Sequence, residues 1–500
     1  MSLKLSKIVS LMLLVSLLSS LAACQDNVDN TGDITTGSNT DDVTAPEEIE
    51  LTSGVPDDVD LGGATVTVLN APQYENFLTL MNAPEETGDT MNDAAYKRNI
   101  AVMDKLNVDL QILDYDYDKG AKDVYLRQLV LAGDRVFDFI VGTQHELVKV
   151  VPDGIYRDIM DLPYVDIDKP WWAAEYIQRA NFGEDKRFFI AGDISVEFIR
   201  DIDCICFNKT VYENYHGSRD ELYDIVLEGK WTLDKLLEVT KDTYVDLNKN
   251  NTPDEEDAYG YGLIPPTIPD HLYYPAGAHT IIYENGEPTL DVVNERNVTI
   301  TEKIYEIYYN GNGILYKNND LVNQEVTIPT KFAADDFMFM FGLFYFSDFL
   351  REMKSDYGII PHPKYDETQE EYKSLVHDGA PLVCIPVTTP DEDIDKVAAV
   401  IEEMAFQGYS IVTPEYYNVV LKQKYARDSS DKAMQILDMI RDSAFTDTGY
   451  VYNYAIDNVA LLIRDLMNSG QTNLATAYAA KEASATTKLA SLIEAYNELE

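Results

Sequence analysis

The chain has 500 residues, of which 45% are hydrophobic, so two or more lobes with sizeable cores are expected. It carries 87 acidic against 39 basic residues, a formal charge of −48. A polyanion of this density repels nucleic acid and anionic lipid headgroups, which argues against both as partners.

At the N-terminus, Lys4 and Lys7 precede an apolar run from Val9 to Leu21. The run is too short to span a bilayer and fits the core of a secretory signal peptide. It ends in "LAAC", Leu21 to Cys24, which resembles the lipobox of bacterial lipoproteins. The resemblance implies a signal peptide over 1–23, a lipid on Cys24, and an extracytoplasmic protein anchored to the bacterial cell membrane. Residues 24–60 hold few large apolar side chains and many Asp, Asn, Thr, Ser and Gly. Such a stretch cannot bury enough surface to fold. It reads as a disordered tether, spanning roughly 30–35 Å as a random coil.

From about residue 64 the pattern turns α/β. "ATVTVLN", "VDLQIL" and "FDFIVGT" alternate with the amphipathic helices "DAAYKRNIAVMDKL" and "KDVYLRQLVLAG", with Asn92 or Asp93 placed to cap the first. This order implies a mostly parallel sheet with right-handed crossovers. "IDCICFNK" is an apolar run able to cross to another lobe, and "PLVCIPV" is able to cross back. The assignment is a first part of an N-lobe over 61–200, a C-lobe over 201–376, and a return to the N-lobe with helices over 377–500. Cys204, Cys206 and Cys384 all lie in apolar runs and read as buried free thiols.

"DLNKNNTPDEED" in the second lobe has the spacing of a calcium loop. Asp246, Asn248 and Asn250 would donate side-chain oxygens, Thr252 its carbonyl, and Asp254 and Asp257 would complete the shell. Asn251 replaces the usual Gly but tolerates the left-handed turn. The exit is a strand instead of a second helix, so the Ca2+ expected here is structural rather than a sensor's.

Several stretches, in order, resemble family 1 extracellular solute-binding proteins of ABC importers. They are "TMNDAAYKRNIAVMDKLNVDLQI", "LPYVDIDKPWW", "GKWTLDKLLEVTKDTYVDLNKNNTPDEEDAYGYGL", "VTPEYYNVVLKQKYARD" and "DTGYVYN". The resemblance implies an α/β, two-lobe periplasmic-binding-protein-like fold, its discontinuous lobes joined by hinge strands, with a helical C-terminal part. It also implies carbohydrate capture between the lobes and delivery to ABC permease subunits, by a monomer without enzymatic activity.

In open α/β sheets ligands bind beyond the carboxyl ends of strands. That rule selects Tyr74 and Glu75 after "VTVLN", Gln144 and His145 after "DFIVG", and Asp193, Glu197 and Arg200 after "RFFIAG". Asp378 lies near the return crossing. Carboxylates and amides can bond sugar hydroxyls. Trp171 and Trp172, in a loop after Pro170, would offer a stacking platform. The sequence holds no HExxH, GxSxG or P-loop motif. Alternative readings are a secreted glycoside hydrolase, which needs two carboxylates at a set separation, and a surface carbohydrate adhesin.

Overall fold

The computed structural model describes residues 51–72, 80–183, 185–263, 268–311, 314–315, 324–350, 353–418 and 431–499. The expected signal peptide, Cys24 and most of the tether lie outside these residues, as do Tyr74 and Glu75. The folded body begins earlier than the boundary at 60. Val55 is buried, and the Gly54 N–H donates to Glu402 at 2.9 Å, because the segment packs on the first lobe.

Thirteen strands are described: β1 (Ala64–Ala71), β2 (Val108–Asp114), β3 (Phe139–Thr143), β4 (Asp203–Asn208), β5 (Tyr259–Gly262), β6 (Ile281–Glu284), β7 (Glu287–Leu290), β8 (Ile314–Leu315), β9 (Phe337–Leu343), β10 (Tyr357–Ile360), β11 (Ser374–Leu375), β12 (Pro381–Cys384) and β13 (Ala444–Phe445). They form two main sheets. The N-lobe sheet has the order β12-β3-β1-β2, and the C-lobe sheet the order β10-β4-β9-β5-β8. In the first, β2 and β3 flank β1 in parallel, with Val68 opposite Phe139, and β12 runs antiparallel to β3, with Leu382 opposite Gly142. β12 thus brings the chain back into the first sheet after residue 377. The connection is a pair of crossings side by side: Ile202 bridges Val376, and the His377 N–H donates to the Asp201 carbonyl at 2.9 Å. A hairpin joins β6 to β7 through Asn285-Gly286, both at positive φ (56° and 85°), as a tight two-residue turn demands.

Five helices shape the lobes around this junction. They are α1 (Thr90–Leu106), α2 (Ala174–Ala180), α3 (Ile394–Gln407), α4 (Asp431–Asp442) and α5 (Glu482–Glu498). Helix α1 is capped by Asp89, which accepts from the Met91 and Asn92 N–H groups, and ends at Asn107 with φ 48°. Asn92 and Asp93 are therefore inside the helix, and the Asp93 carboxylate instead accepts the Thr87 N–H at 2.8 Å. The N-lobe core packs Val66, Val68, Val102 and Leu106 against Val397, Val400 and Met404 of α3. Helix α4 packs on the other lobe, against β10 and the helix Glu221–Leu227. Helix α5 packs against the turns Asn453–Ile456 and Val148–Asp153. The segment after 377 is thus divided between the lobes. Cys204, Cys206 and Cys384 are buried free thiols.

Candidate interlobe site

Parallel β1 and β3 end at the same sheet edge, and a small pocket of ≈ 20 Å3 opens there. Its lining includes Asn70, Thr143, Ser195, Glu197, Asp201 and Gly379. Gly142 makes the approach of β3 to β1 possible, since a Cβ there would meet the Ala71 carbonyl at 3.0 Å. The segment Asp193–Asp201 is set by two devices. Gly192 lies against Trp171, where a Cβ would sit 2.2 Å from the carbonyl oxygen. Buried Arg98 on α1 donates to the Ile194 carbonyl at 3.1 Å and to the Met81 carbonyl at 2.9 Å. Burial pushes the Arg98 guanidinium down to about 10, with Glu197 acting against that.

Glu197 is buried at the pocket wall. It accepts from the Ser195 hydroxyl at 2.5 Å and from the Leu80 N–H at 3.1 Å, and Arg200 stands 3.5 Å away. Asp201, one helical turn on, is pushed up to about 7 by burial, against the pull of His377 and Arg200. The two carboxyl groups therefore differ: one is supplied with donors, and the other titrates near neutrality. Asn70 donates to Asp114 at 2.8 Å. Together these groups can accept hydrogen bonds from hydroxyls and, when Asp201 is protonated, donate one.

An aromatic surface comes from the other lobe. Pairing of Asp203 with Leu343 brings the end of β9 to the hinge, and Phe344–Asp348 follows as a 3-10 turn. The Arg200 guanidinium lies 5.0 Å from the Tyr345 ring centroid. Tyr345 meets Phe349 edge-on at 5.3 Å, and Phe349 is 48% exposed.

Behind the pocket the crossings carry a buried polar core. Asp203 and His271 bond to each other, and Arg464 Nε donates to Asp270 at 2.6 Å. The His271 and His377 rings are stacked at 6.4 Å and 10°. Burial pushes Asp203 well up and His271 down to about 3. His377 is raised: burial lowers it, but Asp378, Asp201 and Asp203 outweigh that. Asp378 is held below the usual carboxylate range because His377 and His145 overcome its own burial. His145 donates through Nδ1 to the Asp378 carbonyl at 3.2 Å.

Of the residues selected from sequence, Glu197 lines this pocket, and Arg200, His145 and Asp378 stand around it. Three other placements correct the sequence reading. Gln144 is fully buried and accepts from the Tyr176 hydroxyl. Asp193 is held by Arg441 at 2.8 Å and Thr413 at 3.0 Å. Trp171 and Trp172 are 1% and 5% exposed in the N-lobe core, Trp171 edge-on to Phe406 at 5.2 Å and Trp172 donating to Glu402 at 3.0 Å. A loop after proline does not keep a ring in water when α3 packs over it. Sequence reading missed Asn70, Ser195, Asp201 and Tyr345. A signal existed for two of them: Asp201 stands four residues after Glu197, and "GLFYFSDF" crowds aromatics directly after an apolar strand.

The loop 246–257 lies before β5, at the end of that strand remote from the hinge. Asp246 accepts the Asn250 and Asn251 N–H groups at 3.2 and 2.9 Å, and Asn251 has φ 59°, the left-handed turn expected there. Asp257 is buried and accepts from Leu247, Asp254 and the Tyr244 hydroxyl. The Asn248 and Asn250 amides donate to Asp254. Among the described residues no three His, Cys, Asp or Glu side chains converge as a metal requires. The backbone turn suits a cation, but the two Asn amides must turn about for their oxygens to reach it.

No family model matches the sequence, and no curated protein matches it. Solved structures do. A maltose/maltodextrin-binding domain from Bdellovibrio bacteriovorus, bound to maltotriose, is 12% identical with a TM-score of 0.51, covering 86% of this chain and 100% of its own. A cyclo/maltodextrin-binding protein complexed with maltotetraose is 12% identical with a TM-score of 0.53, covering 87% and 96%. A family 1 extracellular solute-binding protein from Bifidobacterium longum subsp. infantis is 13% identical with a TM-score of 0.52, covering 85% and 100%. At such identities the likeness is one of architecture: the chain has the two-lobed α/β fold of these solute-binding proteins.

Proposed function

We propose that the protein captures a carbohydrate, an oligosaccharide, between its lobes and hands it unaltered to an ABC permease. The observation that carries this reading is the set of polar groups around Glu197 and Asp201 at the strand ends, with Tyr345 of the other lobe under Arg200 beside them and Phe349 next to Tyr345. Sugars present hydroxyl edges and apolar faces, and this arrangement offers hydrogen-bonding groups for one and rings for the other. Two of the structural neighbours hold maltotriose and maltotetraose. The cavity itself holds only ≈ 20 Å3, far below the roughly 300–1,000 Å3 of ligand sites, so in this reading a sugar enters only when the lobes part. In this reading the protein acts as a monomer, lipidated at Cys24 and held outside the membrane. No described helix is long and apolar enough to cross a bilayer.

Calorimetric titration with mono- and oligosaccharides, followed by product analysis, tests it. Saturable binding with unaltered sugar is expected. Released shorter sugars would point to a hydrolase, and no binding across the panel would remove the reading. The loop 246–257 is part of the same proposal as a structural Ca2+ site. A chelator should lower the melting temperature by a few degrees, and re-added calcium should restore it; an unchanged melting curve would remove the metal.

A further inference from the structure

A second concavity lies on the other side of α2. Tyr176 points from this helix to Gln144 and packs on Phe198, towards the hinge. Glu175, Gln178 and Arg179 line a separate groove of ≈ 900 Å3, which among the described residues shares no lining residue with the interlobe pocket. Its remaining walls come from 181–187, 274–283, Lys373 and 445–448.

The charge of this groove is opposite to that of the chain. Four cations line it, Arg179, Lys186, Arg187 and Lys373, against two acids, Glu175 and Asp447. Glu175 is shared, with Arg179 at 2.9 Å and Lys373 at 3.5 Å. Asp447 is occupied by the Thr280 and Tyr450 N–H groups. Lys186 donates to the Leu499 carbonyl. Arg187 is half-buried, and its guanidinium has no ion pair or hydrogen bond among the described residues; Asp158, Asp161 and Asp168 act on it only from beyond contact. Holding a guanidinium partly out of water without a partner is costly in a protein so rich in carboxylates. Thr446, also on the wall, is fully buried, and its hydroxyl has no partner among the described residues.

We propose that this groove is a binding site for a small dianion, a phosphate or dicarboxylate, gripped by Arg187 and Lys373 with Arg179 and the Thr446 hydroxyl beside them. Arginine's planar fork matches either anion with two hydrogen bonds. The proposal does not depend on the interlobe pocket being a carbohydrate site.

Titration calorimetry on the full chain in low-salt buffer, at two temperatures, with inorganic phosphate and separately with succinate, is the test. Saturable binding of at least one probe is expected, weakened about tenfold or more in Arg187→Gln and further in Arg187→Gln with Lys373→Gln. The tighter probe identifies the headgroup. Absence of saturable heat with both probes, or unchanged affinity in the variants, would overturn the proposal.

Discussion

Two pairs of aromatic residues can be set side by side. Trp171 and Trp172 sit in a loop after a proline and are almost wholly buried, closed over by Phe406 and by Glu402 of α3. Tyr345 and Phe349 follow a buried strand, yet Phe349 keeps nearly half its surface in water and Tyr345 supports Arg200 at the pocket. The difference is made by what packs from elsewhere in the chain, and local context gives the opposite answer for both. An indole needs a partner for its N–H when buried, and Glu402, 230 residues away, provides it for Trp172.

The comparison can be broken by truncation. Trp171→Ala should cost about 3–5 kcal/mol of stability, read by thermal or urea unfolding. Carbohydrate affinity of the folded fraction should stay unchanged; a loss of affinity without a loss of stability would put the indole back at the ligand. Tyr345→Ala should do the reverse: about tenfold weaker binding in calorimetry, on the order of 1 kcal/mol, with little change in melting. Equal affinity in that variant would leave the aromatic surface without a role.

A subtler effect concerns Asp201. Its folded-state value of about 7 lies above the ordinary 3.8. Its contribution is therefore fully present below about pH 4 and is lost as pH rises through 7. Asp201→Asn cannot ionise, so the variant's melting temperature should gain on the parent's between pH 5 and pH 8. A gap between the two that stays constant with pH would contradict the burial of this carboxyl group.

Much of the architecture was legible because it rests on local periodicity. Alternating strands and helices marked the first lobe, and the apolar runs at Cys204 and Cys384 marked strands beside the two crossings. That Glu197 lies beside the pocket at the strand ends was legible because the strand-end rule depends only on order along the chain. Asp193 obeyed the same rule and failed, since its partner Arg441 comes from α4, nearly 250 residues later. Tyr345 was missed for a similar reason: only the pairing of β4 with β9 brings it to the hinge. The N-cap of α1 was misplaced by a few residues, the usual scale of error when several Asp and Asn compete to cap one helix start.

The contact at Gly54 has a mechanical consequence. Its amide is tied to Glu402, a Cβ there would collide with the Tyr164 carbonyl at 2.0 Å, and neighbouring Val55 is buried. The point where the polypeptide enters the folded body is therefore fixed to α3, upstream of both crossings, so the start of the first lobe is held by a residue that lies beyond the second crossing.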